Sequence, residues 1–231
     1  MSALAENLEK VQTRIRQACE RAGRNPADIT LVAVSKNHPA AAVEEAARLG
    51  LSYFGESKIQ EARVKIPQCP RRLHWHMIGH LQSNKAKDAL GLFEMIESVD
   101  SLSLAEELQK QAEKQARHSK ILLEVNVAGE SSKHGWDPTR VLEEFEAVNR
   151  LSRLEIHGLM TIAPFAVDPE KVRPVFARLR ELRDRCADLL GAPLPVLSMG
   201  MSGDLEVAVE EGATVVRVGT ALFGTRPKRE E

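Results

Sequence analysis

Lys36 stands where an apolar segment ends, which is an unusual position for a charged amine. It closes the run LVAVSK at 31–36, whose other residues are typical of a buried strand. A lysine becomes able to attack an aldehyde when desolvation and nearby positive charge lower the pKa of its amine. The alternative is a lysine at a strand end that reaches solvent. The chemistry therefore depends on what else lies beside Lys36.

Two segments near the other end of the chain have the composition of anion-binding loops. PLPVLS runs into MGMSGD at 199–204, and TVVRV runs into GTALFG at 219–224. Small residues allow backbone N–H groups to converge on an anion, and a following helix N-terminus adds partial positive charge. The candidates for these contacts are Ser202, Gly203, Gly219 and Thr220. Together with Lys36 they indicate a site for a phosphorylated carbonyl compound.

Eight apolar runs of strand character could position these groups. They lie near 30–35, 51–54, 73–78, 93–97, 120–126, 154–159, 194–198 and 214–218. The segments between them mostly indicate helices, and an amphipathic helix from Leu4 to Ala22 precedes the first strand. The alternation predicts an α/β fold, a (β/α)₈ TIM barrel, as one domain over 1–231 with a short charged tail at about 225–231.

Prolines and glycines mark several helix ends. Pro39 suits the first turn of one helix, and Asp137-Pro138 and Asp168-Pro169 each open another. Gly191 ends the last of these, and Asp204 is expected in the first turn of the helix after MGMSG.

In a closed barrel, strand eight lies beside strand one, so the two glycine-containing loops come close to Lys36. Loops after strands seven and eight are the usual phosphate site of this architecture. Arg217 alternates with Val216 and Val218, so it is expected to point into the barrel mouth. The other possibility pairs it with Glu206 or Glu210. A phosphorylated aldehyde with a ring nitrogen would satisfy the lysine, the loops and the arginine, and pyridoxal 5′-phosphate (PLP) has that shape.

Six segments of the chain resemble the pyridoxal phosphate homeostasis proteins, which are similar to the barrel half of alanine racemase. They are LVAVSK at 31–36, FGESKIQE at 54–61, HWHMIGHLQSNK at 74–85, HGLMTI at 157–162, SMGMSGD at 198–204 and VRVGTALFG at 216–224. The resemblance implies the PLP fold type III barrel without the C-terminal β-domain.

The same resemblance implies roles for individual residues. Lys36 would hold PLP as a Schiff base, and Arg217 would face the pyridine nitrogen. Ser57 stands where the family usually has asparagine, so a polar contact near the cofactor would be shorter or carried by water. Met160, at the end of strand six, is a candidate ring contact, although packing is its commoner role. The phosphate would fall to Ser202, Gly203, Gly219 and Thr220.

Three functions remain open: a PLP carrier, a PLP-dependent racemase or related PLP enzyme, and a Schiff-base aldolase acting on a phosphorylated substrate. A two-base racemase needs an acid/base group on each face of its substrate, and alanine racemase takes a tyrosine from an additional domain and a partner subunit. The sole tyrosine here, Tyr53, lies in the second strand, and no such domain is expected. We therefore expect a monomeric, cytoplasmic carrier in PLP homeostasis that has no robust catalysis and delivers PLP to apo-enzymes.

The remaining residues give mostly negative expectations. A formal net charge of −1 offers no general attraction to nucleic acid or to an anionic membrane. Three cysteines without a CxxC pattern favour a reducing compartment over a disulfide framework. His74, His76 and His80 are expected to pack or hydrogen-bond without a metal, because no acidic or cysteine ligand completes a set.

Other lysines could also reach the mouth of the barrel. Lys58, Lys85 and Lys133 are candidates for an adventitious Schiff base. Asn84 and Lys85 are better explained as a loop or helix start, although their position after strand three leaves a secondary cofactor or anion contact open.

Overall fold

Eight parallel strands close into a barrel in chain order, from β1 to β8. The computed structural model describes residues 2–130 and 133–224. The strands are β1 (Thr30–Val34), β2 (Tyr53–Glu56), β3 (His74–Met77), β4 (Met95–Val99), β5 (Ser119–Glu124), β6 (Leu154–Met160), β7 (Val196–Ser198) and β8 (Val215–Val218). Each predicted run overlaps one strand, so the barrel is confirmed. The predicted tail at 225–231 lies outside the described residues.

Helices connect the strands on the outside of the barrel. They are α1 (Ala3–Arg21), α2 (Ala40–Arg48), α3 (Ile59–Lys65), α4 (Ala86–Leu92), α5 (Leu102–Lys114), α6 (Pro138–Asn149), α7 (Arg173–Leu190), α8 (Leu205–Glu210) and α9 (Thr220–Phe223). Within the described part of the chain, none of the helices is both long enough and apolar enough to span a membrane.

The helix starts agree with the sequence signals except at three places. Asp137 caps α6 as expected, and its carboxylate accepts from the Thr139 N–H at 2.8 Å. Pro39 is the residue before α2 rather than part of its first turn. Pro169 begins a short 3₁₀ turn, and α7 follows only at Arg173. Asp204 precedes α8 as its N-cap and is not in the first turn.

The main core lies between the outer face of the strands and the helices. Val216 and Val218 of β8 belong to it, whereas a smaller cluster of Met95, Leu122 and Met160 forms separately from it. Arg217, between the two valines, is buried and bonds to groups on β7 and just after β6. The period of two along a strand thus sends the valines outward and the arginine into the barrel. All three cysteines are free and buried.

Candidate functional site

A cavity of about 480 Å³ opens at the carboxyl ends of the strands. Lys36, which follows β1, lines one part of it. The loop after β7 and the start of α9 after β8 line another part. β1 and β8 are paired in register, with Val32 opposite Arg217, so these segments are neighbours as the closed barrel predicts.

The residues on both sides of Lys36 are fixed by a charged cluster. The Asn37 N–H donates to Glu61 Oε1 at 2.6 Å, and Asn37 adopts a left-handed backbone with φ of 65°. Lys65 Nζ donates to the Ser35 carbonyl at 2.7 Å and to Glu61 Oε1 at 2.7 Å. The turn that carries Lys36 is therefore tied at both flanks to α3.

Glu56 completes this cluster from the end of β2. Its Oε1 accepts from the Ser35 hydroxyl and from Lys65 Nζ, both at 2.7 Å, while its Oε2 is buried without a hydrogen-bond partner in the described structure. Burial raises the pKa of Glu56, although the Lys65 and Ser35 hydrogen bonds oppose that rise. Glu56, Glu61 and Lys65 could not be assigned from the sequence, because their spacing along the chain does not show that they converge beside the turn of Lys36.

The loop after β7 is held in a tight conformation. Gly200 has φ of 91°, and a Cβ added there would lie 2.5 Å from the Ala208 Cβ, so α8 packs directly against it. Asp204 Oδ1 accepts from the Met201 N–H at 2.6 Å and closes the turn. Arg14 of α1 donates to the Ser202 carbonyl at 3.0 Å. These contacts orient the loop along the cavity wall.

The donors at this wall suit a phosphate. The backbone N–H groups of Ser202, Gly203 and Thr220 have no acceptor among residues 2–130 and 133–224. The Ser202 hydroxyl accepts from the Ala221 N–H at 3.1 Å, which leaves its own proton available to donate. A dianion would satisfy such a set of donors, because charge-assisted hydrogen bonds are about twice as strong as neutral ones.

Arg217 lies at the cavity with its guanidinium inside the barrel. It is 3% exposed. Its Nη1 donates to Ser198 Oγ at 2.5 Å and its Nη2 donates to the Thr161 carbonyl at 2.8 Å. Nη1 also lies 3.7 Å from Glu97 Oε2. Burial lowers the pKa of Arg217, and the carboxylates of Glu97 and Glu124 act in the opposite direction.

The alternative partners considered for Arg217 are wrong. Glu206 pairs with Arg14 at 2.5 Å, and Glu210 pairs with Arg21 at 2.7 Å and with Arg173. Both glutamates lie on α8, outside the barrel, whereas Arg217 points into the barrel from β8.

Glu97 is the counter-ion inside the barrel. It accepts from Ser198 Oγ at 2.6 Å and pairs with His76 Nδ1 at 2.6 Å. Burial alone would raise the pKa of Glu97, but His76, Arg217 and Ser198 outweigh burial and hold it below the usual range. Glu97 is therefore an ionised carboxylate in a fully enclosed position.

Each histidine of the β3 segment meets a carboxylate supplied by β4 or its ends. His74 pairs with Glu94, His76 with Glu97 as above, and His80 with Asp100 at 3.0 Å. The expectation of hydrogen-bonding histidines is confirmed. The sequence argument against a metal, that no acidic ligand completes a set, is wrong. β3 and β4 are parallel neighbours, so acidic residues of β4 and its ends lie beside the histidines of β3 and its ends.

Two predicted cofactor contacts do not line the cavity. Met160 is fully buried in the cluster with Met95 and Leu122, so it packs in the core. Ser57 follows β2, and its backbone and Cβ lie where a Cβ on Gly79 would be, within 2.7 Å. Neither residue lines this cavity, so both assignments stay predictions.

The other lysines and the tyrosine are distributed around the barrel. Lys133 lines the cavity, and its Nζ bonds Glu130 at 2.7 Å. Asn84 and Lys85 form a 3₁₀ turn before α4, as expected, and Lys58 precedes α3. Tyr53 begins β2, and its ring stacks on His74 at the start of β3, at the end of the barrel opposite the cavity.

Comparison with known proteins identifies the family. The alanine racemase N-terminal domain family matches residues 2–227. The pyridoxal phosphate homeostasis protein of Pseudomonas aeruginosa is 47% identical over 230 residues, covering 98% of this chain and 97% of that protein. The chain belongs to the pyridoxal phosphate homeostasis protein family. The resemblance described from the six sequence segments is thereby confirmed.

Further relatives agree over the full length. The pyridoxal phosphate homeostasis protein of Aquifex aeolicus is 46% identical over 222 residues, covering 96% of this chain and 97% of that protein. The structure of PipY from Synechococcus elongatus with PLP bound superposes with a TM-score of 0.84 at 40% identity, covering 96% of this chain and all of that one, 100%.

Proposed function

We propose that this protein binds PLP in the cavity at the carboxyl ends of β1, β7 and β8 and acts in PLP homeostasis as a carrier. The observation that carries the proposal is the pairing of a lysine at one wall with backbone donors at another that have no acceptor among the described residues. Its membership of a family whose relatives are named for PLP homeostasis supports the same function.

In this proposal each part of the site has one task. Bound PLP supplies an aldehyde that a lysine amine can hold covalently and a ring that can accept electrons. Lys36 provides the amine, and the Glu56–Glu61–Lys65 cluster fixes the turn that carries it. Ser202, Gly203, Gly219 and Thr220 bind the phosphate. A PLP-bound structure of PipY, 40% identical, supports the cofactor assignment.

Arg217 is proposed to face the pyridine nitrogen. A guanidinium donates hydrogen bonds but has no proton to give up near neutral pH, so it keeps that nitrogen unprotonated. An unprotonated ring is a weaker electron sink, which favours holding the cofactor over transforming amino acids. The position of Tyr53 at the opposite end of the barrel also argues against a tyrosine acid/base group in the cavity.

We further propose that the protein works as a cytoplasmic monomer and passes PLP to apo-enzymes. The three buried, free cysteines are compatible with a reducing compartment. A racemase and an aldolase remain as outcomes of the test below.

The decisive experiment traps the cofactor. Purified protein loaded with PLP is expected to absorb as a yellow species and, after borohydride reduction, to gain a stable mass on the peptide that holds Lys36. Lys36→Ala should lose both signals, while Lys133→Ala, which changes another cavity lysine, should keep them.

Three results would overturn parts of this proposal. A majority of label on Lys85 or Lys133 in the unmutated protein would show that Lys36 is structural. An L- or D-alanine racemase activity that disappears in Lys36→Ala would replace the carrier by an enzyme. Colourless protein that forms a trapped adduct with sugar phosphates would favour an aldolase.

A further inference from the structure

A second cluster with binding chemistry lies at the barrel mouth, apart from the residues assigned to PLP. His80, Asp100 and His134 each offer one ligand atom, and these atoms lie within 4.8 Å of one another. Over residues 2–130 and 133–224, it is the one group of three or more histidine, cysteine or acidic side chains with this property. The pair His74 and Glu94 has similar chemistry but has no third member in the described part of the chain.

Three different connections supply the cluster. His80 follows β3, Asp100 follows β4, and His134 lies between β5 and α6. His80 Nδ1 is 3.0 Å from Asp100 Oδ2, and His134 Nδ1 is 4.0 Å from the same oxygen. The same carboxylate oxygen thus lies within hydrogen-bond distance of His80 and 4.0 Å from His134, which brings the three side chains together.

The two imidazoles have freedom to turn toward an ion. Their rings are stacked with centroids 3.7 Å apart and planes 10° from parallel. Lone pairs of parallel rings do not meet at one point, so an ion would require the stack to open. Both side chains are exposed, at 41% for His80 and 57% for His134, which leaves room for this movement. Asp100 is 12% exposed and forms the fixed member.

Further oxygen donors stand beside the cluster. A cavity of about 170 Å³ is lined by His80 and His134 together with Glu124 and Asn126. This volume accommodates several waters, which occupy about 30 Å³ each in the liquid. An ion held by three side chains could therefore complete its coordination with water or with one of these oxygens.

We infer that His80, Asp100 and His134 form a binding site for a divalent transition-metal ion of the Zn²⁺ type. Two imidazole nitrogens and one carboxylate are a common ligand set for zinc with an open fourth position. Mg²⁺ and Ca²⁺ prefer sites made of oxygen ligands, so they are expected to bind poorly here. The ion would join three connections at the mouth and stabilise the folded barrel by mass action.

The test uses the full chain without an affinity tag, treated with chelator and then titrated with Zn²⁺ by calorimetry. One ion per chain is expected, with an increase in melting temperature. His80→Gln and His134→Gln should each lower the affinity more than about 10-fold, because each removes a ligand. Asp100→Asn should do the same. The matched control is His74→Gln, which changes the histidine of the two-member pair and should leave affinity unchanged.

A spectroscopic measurement separates coordination from loose association. Co²⁺ substituted for Zn²⁺ should give visible d–d absorption in the unmutated protein and in His74→Gln, and lose it in His80→Gln and His134→Gln. Zn²⁺ affinity that is unchanged in both His80→Gln and His134→Gln, or equally reduced in His74→Gln, would overturn the inference. Tighter binding of Mg²⁺ than of Zn²⁺ would also overturn it.

Discussion

The two sides of the barrel mouth obtain their polar groups in different ways. On the side of β1, β7 and β8, the donors are backbone N–H groups and small side chains, placed by the tight turn at Gly200 and by the start of α9 at Gly219. On the side of β3 to β5, they are imidazoles set against carboxylates. Backbone donors have a fixed charge and a fixed geometry, whereas imidazole–carboxylate pairs change with protons or ions. The first side suits an anion of fixed charge and shape, and the second suits the reversible binding of protons or metal cations.

Between the two sides lies a buried ionic connection. Arg217 comes from the first side, and Glu97 comes from the second. Ser198 bridges them, accepting from Arg217 at 2.5 Å and donating to Glu97 at 2.6 Å. The difference between the sides can therefore be tested by substitutions at this buried connection and then on each side.

The largest stability effect is expected at this connection. Glu97→Gln keeps the shape of the side chain but removes the nearest counter-ion of a buried guanidinium, so unfolding should become easier by about 3–5 kcal/mol. Denaturant unfolding of the PLP-free protein measures the change. Glu94→Gln, on the same side of the barrel but with an exposed carboxylate, should cost no more than about 1 kcal/mol. Equal effects of the two substitutions would show that Glu97 is not the counter-ion.

The stability of the folded protein should depend on pH because of a buried carboxyl group on the β3–β5 side. Burial, aided by Asp100 and Glu97 and opposed by Arg217, raises the pKa of Glu124 to about 7. The folded state then holds a proton that the unfolded state releases near pH 4.5, so stability is fully present below that pH and is lost as pH rises through 7. A shift of this size corresponds to roughly 3 kcal/mol.

Glu124→Gln removes this dependence because the amide does not titrate. With EDTA present, its stability relative to the unmutated protein should rise from pH 4.5 to pH 8 by about 3 kcal/mol. Urea unfolding at several pH values gives the difference directly, and other titrating groups cancel in it. A stability difference that stays constant with pH would show that the Glu124 carboxyl is not perturbed.

On the β1–β7–β8 side, a smaller effect should appear in cofactor affinity. Ser202→Ala removes one hydroxyl donor to the proposed phosphate, worth about 1.5–3 kcal/mol, or roughly 10- to 150-fold in the dissociation constant for PLP. Affinity for pyridoxal, which lacks the phosphate, should not change. Ser83→Ala, which alters an exposed hydroxyl after β3, serves as the control. A parallel loss for PLP and pyridoxal would mean that Ser202 acts through loop structure alone.

The smallest expected effect concerns the turn that carries Lys36. Glu61→Gln weakens a charge-assisted bond from the Asn37 N–H and one from Lys65, at a cost of about 1–2 kcal/mol in stability. Borohydride trapping at Lys36 should also slow, because the amine is less well positioned. Glu44→Gln removes an exposed helical pair with Arg48 and should change neither quantity. If Glu61→Gln lowers stability while borohydride trapping at Lys36 keeps its normal rate, Glu61 stabilises the fold but does not position the amine.

Much of the barrel was predictable because apolar runs report burial. The limits appear at β2 and β4, which begin at Tyr53 and Met95 rather than near 51 and 93. Leu51 and Phe93 are buried, yet they precede the hydrogen-bonded ladder. Apolarity thus locates residues that face the core without telling which of them pair with the next strand.

The sequence by itself determined that a lysine follows β1, that small residues follow β7 and β8, and that Arg217 faces the opposite way from Val216 and Val218. These facts depend on local composition and on a period of two, both of which can be counted along the chain.

Only the tertiary structure decided the partners. Glu97 meets Arg217, Glu61 meets the turn of Lys36, and His134 meets Asp100 because barrel closure brings together strands and connections that are distant in sequence. Charged residues occur throughout the chain, and their types and spacing do not reveal which two will share one point in space. Closure of the barrel makes that selection, since it fixes which strand ends are neighbours and which side chains point inward.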